Sequence, residues 1–197
     1  MESSDKDQGK KNIPQVQTFT VPFASGELKE NITVNTNTPS KPSKEQIINQ
    51  AFKFHSQGNI SEAAKYYQYF INQGFEDYRV FSNYGVILVG FGKFKEAVFC
   101  YRKAIKLNPD FADAHFNLGN LMRNLGKLKE AEISYLKAIE INPNFANAHS
   151  NLGNALRDLG NLHQAEVSFR KAIEINPNNA IFHSNLGGIL KDFGKLK

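Results

Sequence analysis

The chain has 197 residues, 41% hydrophobic and 12% aromatic, without tryptophan and with one cysteine, Cys100, which excludes an internal disulfide. Lys and Arg exceed Asp and Glu by 24 to 19, but opposite charges sit side by side, as in Lys95-Glu96 and Lys129-Glu130, which argues against the clustered basic stripe of a nucleic-acid footprint. No stretch approaches the roughly 18 apolar residues of a membrane span, and Met1-Glu2-Ser3-Ser4-Asp5 does not begin a secretion signal, so a cytoplasmic location without a membrane partner is expected.

Residues 1–43 are rich in Ser, Thr, Asn, Lys and Pro, lack sustained periodicity and end in Thr38-Pro39-Ser40-Lys41-Pro42-Ser43. This composition predicts a flexible leader. Within it, Thr18-Phe19-Thr20-Val21-Pro22-Phe23 alternates as a short strand would, and it could pair with a partner. Order is expected from Ser43, which forms a capping box with Gln46 ahead of Ile47, Ile48, Ala51, Phe52 and Phe54.

From there the chain repeats every 34 residues. Gly58, Gly92, Gly126, Gly160 and Gly194 share that period, as do Gly85, Gly119, Gly153 and Gly187, then Ala63, Ala97, Ala131 and Ala165, and Pro109, Pro143 and Pro177. A fixed period of this length means stacked units, none of which buries its apolar face alone. The repeats are placed at 44–77, 78–111, 112–145 and 146–179, with a partial fifth at 180–197, so that 44–197 forms one array. The first is divergent, with Gln50 in place of Tyr84, Leu118, Leu152 and Leu186, and Phe75 in place of proline.

Inside a repeat the pattern reads as two helices, A and B, joined by a tight turn. In the third, Ala114, His115, Leu118, Leu121, Met122 and Leu125 recur at helical spacing, and Gly126 ends helix A in a left-handed conformation. Helix B carries Leu128, Ala131, Tyr135, Ala138 and Ile139 on one face and stops at Asn142-Pro143, because proline displaces its predecessor from the helical region. Asp110, Asn144 and Asn178 are expected to cap the next helix A. Glycine inside helix A, as at Gly119, costs about 1 kcal/mol against alanine, so these positions mark a close helix contact.

These residues resemble the tetratricopeptide repeat. Leu118-Gly119, Leu152-Gly153 and Leu186-Gly187 match its helix A pattern, and Ala131, Tyr135, Ala138, Pro143 with Ala165, Phe169, Ala172, Pro177 match its helix B pattern. Where that family has a bulky aromatic early in helix A, this chain has Phe81, His115, His149 and His183. The resemblance implies an all-α, right-handed α-solenoid of helix-turn-helix repeats whose A helices line a concave groove for peptides or partner proteins.

The candidate binding residues lie on the A helices. Asn83, Asn117, Asn151 and Asn185, one per repeat and opposite the core face, would stack as a ladder that Asn120 and Asn154 broaden. Each amide offers donors and an acceptor, so the ladder could bond the main chain of an extended peptide, or the amides could tie adjacent repeats to one another. The arrangement resembles the superhelical repeat domain of O-GlcNAc transferase. Beside the ladder Arg123, Arg157 and Lys191 form a basic row that would attract acidic peptides or be neutralised by Asp158 and Asp192. Cys100 reads as a packing residue.

His115, His149 and His183 lie on A helices whose axes should be roughly 8–10 Å apart, whereas zinc holds nitrogen at about 2.0–2.1 Å, so packing rather than a metal is expected. The basic clamp by which chaperone-associated members of the resembled family hold a terminal carboxylate is missing, since Ser82, Phe116 and Ser150, Asp113, Asn147 and Ile181 occupy its places. No phosphate loop, zinc motif or nucleophile-base pair is recognisable, and no cofactor is expected. The leading expectation is therefore a noncatalytic scaffold that binds an extended peptide or partner protein. The alternative is the substrate-recruiting arm of a larger transferase whose catalytic domain lies beyond residue 197, since Lys197 falls where helix B of the fifth repeat would begin. Self-association through the exposed edge of the C-terminal repeat is a further expectation for partners.

Overall fold

Each run of apolar residues at helical spacing folds as a helix, and a glycine just past the first helix of a repeat releases the chain into the second. The computed structural model of the chain describes residues 17–19, 32–34 and 42–195. Gly58, Gly92, Gly126 and Gly160 adopt φ between 73° and 82°, the left-handed region that a side chain would penalise. At Gly126 the glycine N–H donates to the Arg123 carbonyl and the Lys127 N–H to the Met122 carbonyl, both at 2.9 Å. This Schellman closure satisfies carbonyls that the helix leaves open, and it recurs at the other three glycines.

Two compact units result, residues 1–75 and 76–197. In the first, strands β1 (Gln17–Phe19) and β2 (Ile32–Val34) pair antiparallel with Thr18 opposite Thr33. Apart from these strands and residues 42–43, the leader of the flexible-segment expectation lies outside the described residues. Helix α1 (Lys44–Ser56) opens with the expected capping box, the Ser43 Oγ accepting from the Gln46 N–H at 3.2 Å and Gln46 Oε1 from the Ser43 N–H at 2.9 Å. It packs on α2 (Ile60–Asn72) through Ile47, Ile48, Ala51, Tyr67 and Phe70, all buried.

The second unit contains α3 (Tyr78–Gly90), α4 (Phe94–Leu107), α5 (Ala112–Asn124), α6 (Leu128–Ile141), α7 (Ala146–Asp158), α8 (Leu162–Ile175) and α9 (Ala180–Lys195). A and B helices pair within a repeat, α3 with α4, α5 with α6 and α7 with α8, and each B helix packs on the following A helix. Successive A helices α3, α5, α7 and α9 also touch one another, and no two B helices approach as closely, so the A helices converge along one side of this unit. Helix α9 runs through Gly194, where the other A helices turn.

The glycines inside helix A set the A–B spacing. A Cβ on Gly85 would lie 2.6 Å from the Tyr101 ring, on Gly119 2.7 Å from Tyr135, and on Gly153 2.7 Å from Phe169. The expected close contact is thus glycine against the buried aromatic of helix B in the same repeat. Ala97, Ala131 and Ala165 are fully buried beside it. Cys100 is buried at the helix B position held by Ser134 and Ser168 in the next repeats, which agrees with a packing role.

One expectation fails at the turns between repeats. Asp110 and Asn144 do not cap α5 and α7, whose N-cap residues are Phe111 and Phe145 without a side-chain cap bond. The asparagine before the proline organises the turn instead. The Asn108 Oδ1 accepts from the Asp110 N–H and its carbonyl from the Phe111 N–H, both at 3.2 Å, and Asn142 repeats the arrangement. Asp110 and Asn144 therefore lie inside a turn, short of the first helical N–H groups. No described helix is long and apolar enough to cross a membrane.

Candidate functional site

All nine candidate residues lie in the second unit, on α3, α5, α7 and α9. The glycine–aromatic contacts fix α3, α5 and α7 each against the B helix of its own repeat. Asn83, Asn117, Asn120, Asn151, Asn154 and Asn185 are all half-buried rather than fully solvent-facing.

The amides are not equivalent. Asn120 accepts twice through Oδ1, from the Tyr135 hydroxyl at 2.9 Å and from the Asn151 Nδ2 at 2.8 Å. Asn185 donates through Nδ2 to the Ser150 hydroxyl of the preceding repeat at 3.1 Å. Asn151 and Asn185 thus tie neighbouring A helices together, while the Asn151 Oδ1 makes no hydrogen bond among the described residues. Asn83, Asn117 and Asn154 make no side-chain hydrogen bond among the described residues. Burial raises the Tyr135 phenol to about 12, against a smaller downward pull from Arg123, so it remains protonated and able to donate at neutral pH.

The basic row divides in the same way. Arg123 donates through Nη2 and Nε to Oδ2 of Asp158 at 2.9 and 3.2 Å, with both side chains about one-third exposed (33% and 34%). Asp158 thus pairs across the repeat boundary and not with its sequence neighbour Arg157. Arg157 makes no ion pair among the described residues, and its Nη1 lies 3.4 Å from where a Cβ on Gly188 would stand. Lys191 is exposed.

The histidines have a role the sequence reading did not identify. Nε2 of His115, His149 and His183 donates to the carbonyl of Pro109, Pro143 and Pro177, at 3.0, 3.0 and 2.7 Å. Each ring latches the first turn of an A helix to the loop before it, a polar tie in place of aromatic packing. The constant spacing of six residues from proline to histidine was the available signal. No cluster of three metal-ligating side chains exists among the described residues.

Models described as TPR repeat match residues 87–126 and 119–160, and a model described as tetratricopeptide repeat matches 146–179. Among solved structures, MamA 41-end from Desulfovibrio magneticus RS-1 superposes with a TM-score of 0.69 at 22% identity, covering 78% of this chain and 88% of that one. YrrB, a TPR protein with an unusual peptide-binding site, gives 0.65 at 24% identity over 72% and 73%. The first TPR of Spaghetti (RPAP3) bound to HSP90 peptide SRMEEVD gives 0.58 at 26% identity over 59% and 93%. No curated protein matches the chain. The glycine-set helix pairs, the proline-punctuated period and these matches together identify residues 87–179 of this chain as tetratricopeptide repeats.

Proposed function

We propose that this chain is a noncatalytic protein-interaction scaffold that holds an extended peptide segment of its partner along the A-helix face of residues 76–197. The observation that carries the reading is the row of half-buried amides on converging A helices, several with donors and acceptors that no described residue uses. Half-buried polar groups of this kind gain from a ligand that completes their hydrogen bonding. Carboxamides match the main chain of a peptide better than they match a phosphate or a nucleic acid, whose charge calls for Lys and Arg. Two structural relatives carry peptide sites, the unusual one in YrrB and the HSP90-peptide site in the RPAP3 repeat. The basic clamp positions here hold Ser82, Phe116 and Ser150, which favours a main-chain reader over a reader of a terminal carboxylate.

The test is affinity capture of partner peptides from a random 12-residue display library on the full chain, followed by titration with Asn117→Ala/Asn151→Ala. Loss of two amides should weaken the best peptide by roughly one to two orders of magnitude, at about 0.5–1.5 kcal/mol per hydrogen bond. Lys137→Ala/Lys171→Ala is the control. These lysines sit on helix B, paired with Glu140 and Glu174. Equal effects of the two double variants would refute the assignment to the A-helix face.

A further inference from the structure

Tyr135 and Phe169 occupy the same place in successive repeats, and both rings stand 2.7 Å from the would-be Cβ of the facing glycine, Gly119 or Gly153. Both are fully buried. The hydroxyl of Tyr135 is therefore not needed to fill the space. It donates a hydrogen bond to the Asn120 Oδ1, on the candidate binding face. Resting on the scaffold reading above, we propose that Tyr135 is a positioning residue for the ligand: through Asn120 it holds the Asn120–Asn151 pair as a two-point site for the N–H and C=O of one residue of an extended chain.

The hydrogen-bond accounting supports this directly. Oδ1 of Asn120 receives Tyr135 Oη and Asn151 Nδ2, which uses both of its lone pairs and fixes the rotation of the carboxamide. Turning that amide over would set an N–H against the Asn151 N–H. With the amide held, the Asn120 Nδ2 group and the Asn151 Oδ1 are left without partners among the described residues. One donor and one acceptor, carried on two paired amides, complement the C=O and N–H that a single residue of an extended chain presents on one side.

No other junction between repeats assembles all three parts. In the second repeat Tyr101 is present, but Val86 stands where Asn120 would be. In the fourth, Asn154 is present, but Phe169 has no hydroxyl to orient it, and Asn185 turns to Ser150 instead. The ligand's main chain should therefore be registered at the third and fourth repeats.

The experiment uses the full chain and a fluorescein-labelled 12-residue peptide selected on it from the random library, read by anisotropy. A set of the same peptide with each backbone nitrogen methylated in turn reports where a ligand N–H is used. On the parent chain one methylated position should lose about tenfold or more in affinity. Tyr135→Phe should weaken the unmodified peptide by about fivefold and reduce the penalty at that position to about twofold. A merely structural role for the hydroxyl would not change the methylation profile. Phe169→Tyr/Ser150→Ala should do the converse, giving Asn154 the missing donor, releasing Asn185 from the Ser150 hydroxyl and adding a second sensitive position about one repeat away. If Tyr135→Phe binds with an unchanged profile and Phe169→Tyr/Ser150→Ala adds no sensitive position, the positioning role is overturned. The scaffold reading would still stand if Asn117→Ala/Asn151→Ala impairs binding. If no library peptide binds the parent chain, both are overturned.

Discussion

Replacing the same helix A glycine by alanine in two repeats should change stability in opposite directions. At Gly119 a Cβ would meet two Tyr135 ring carbons at 2.7 Å, closer than real Cβ contacts come. The ring cannot move aside easily, because it is fully buried, bonded through its hydroxyl to Asn120, and set 6.1 Å from the Phe116 ring. Overpacking of this kind costs about 1–3 kcal/mol, against about 1 kcal/mol gained in helix propensity. Gly119→Ala should therefore be destabilising by up to about 2 kcal/mol. At Gly187 nothing lies within 4 Å of the same Cβ, so only the propensity gain remains and Gly187→Ala should stabilise by about 0.5–1 kcal/mol. Equilibrium urea unfolding followed by far-ultraviolet circular dichroism would measure both, with the m-value held to that of the parent. If both variants shift the midpoint upward by similar amounts, the glycine–aromatic contact does not set the spacing between A and B helices.

Gly126→Ala should cost about 1–2 kcal/mol, because its φ of 73° is left-handed and open space around the Cβ gives no relief; a neutral midpoint would contradict the assignment. Asp77 caps α3 by accepting from the Arg79 and Val80 N–H groups at 2.9 and 3.4 Å, so Asp77→Ala should cost about 1 kcal/mol by thermal or urea unfolding. Burial lifts the Cys100 thiol to about 12, with the Glu96 carboxylate adding to it, and Tyr135 likewise to about 12, from their ordinary values of 9.0 and 10.0. Raised folded-state values mean this stability is complete below about pH 9 and declines as the unfolded chain sheds those protons, so urea midpoints should fall between about pH 9 and 11. Midpoints that stay flat or rise over that interval would show that these groups are not held protonated by burial. Asp158→Asn should cost at most about 1 kcal/mol, and less in high salt, as the Arg123 pair is partly exposed.

Features that depend on backbone conformation within one repeat were readable from the residues. Gly126 implied a left-handed residue and Gly119 a close contact, because only the lack of a side chain accounts for glycine in either place. Features that depend on which atoms meet across a repeat were not. Asp158 adjoins Arg157 in sequence, yet the helix points it toward Arg123 35 residues away. The Asn120–Asn151 and Tyr135–Asn120 bonds likewise depend on how two repeats are set against each other. Asp110 looked like a cap because its residue type suits one, but the turn closed by Asn108 uses two residues before the helix begins. The histidine latches likewise depend on a side chain reaching a carbonyl six residues away, since His115 and His149 are half-buried as packing residues are, and their Nε2 atoms in addition meet a proline carbonyl.

Residues 112–145 form a block that begins and ends at the same point of the turn, with Phe111 and Phe145 in equivalent places before Ala112 and Ala146. Excising it would join Phe111 to Ala146 and present His149 to Pro109 with the same six-residue offset that His115 has now. Every seam of the shortened chain would already exist in the longer one. Gain or loss of whole blocks is thus a mutation the architecture absorbs, whereas a change of one residue within a helix would rotate each following face away from its partner. Steps of 34 residues preserve the backbone seam, while the side-chain pairs across it change, since Val86 would then stand where Asn120 now meets Asn151.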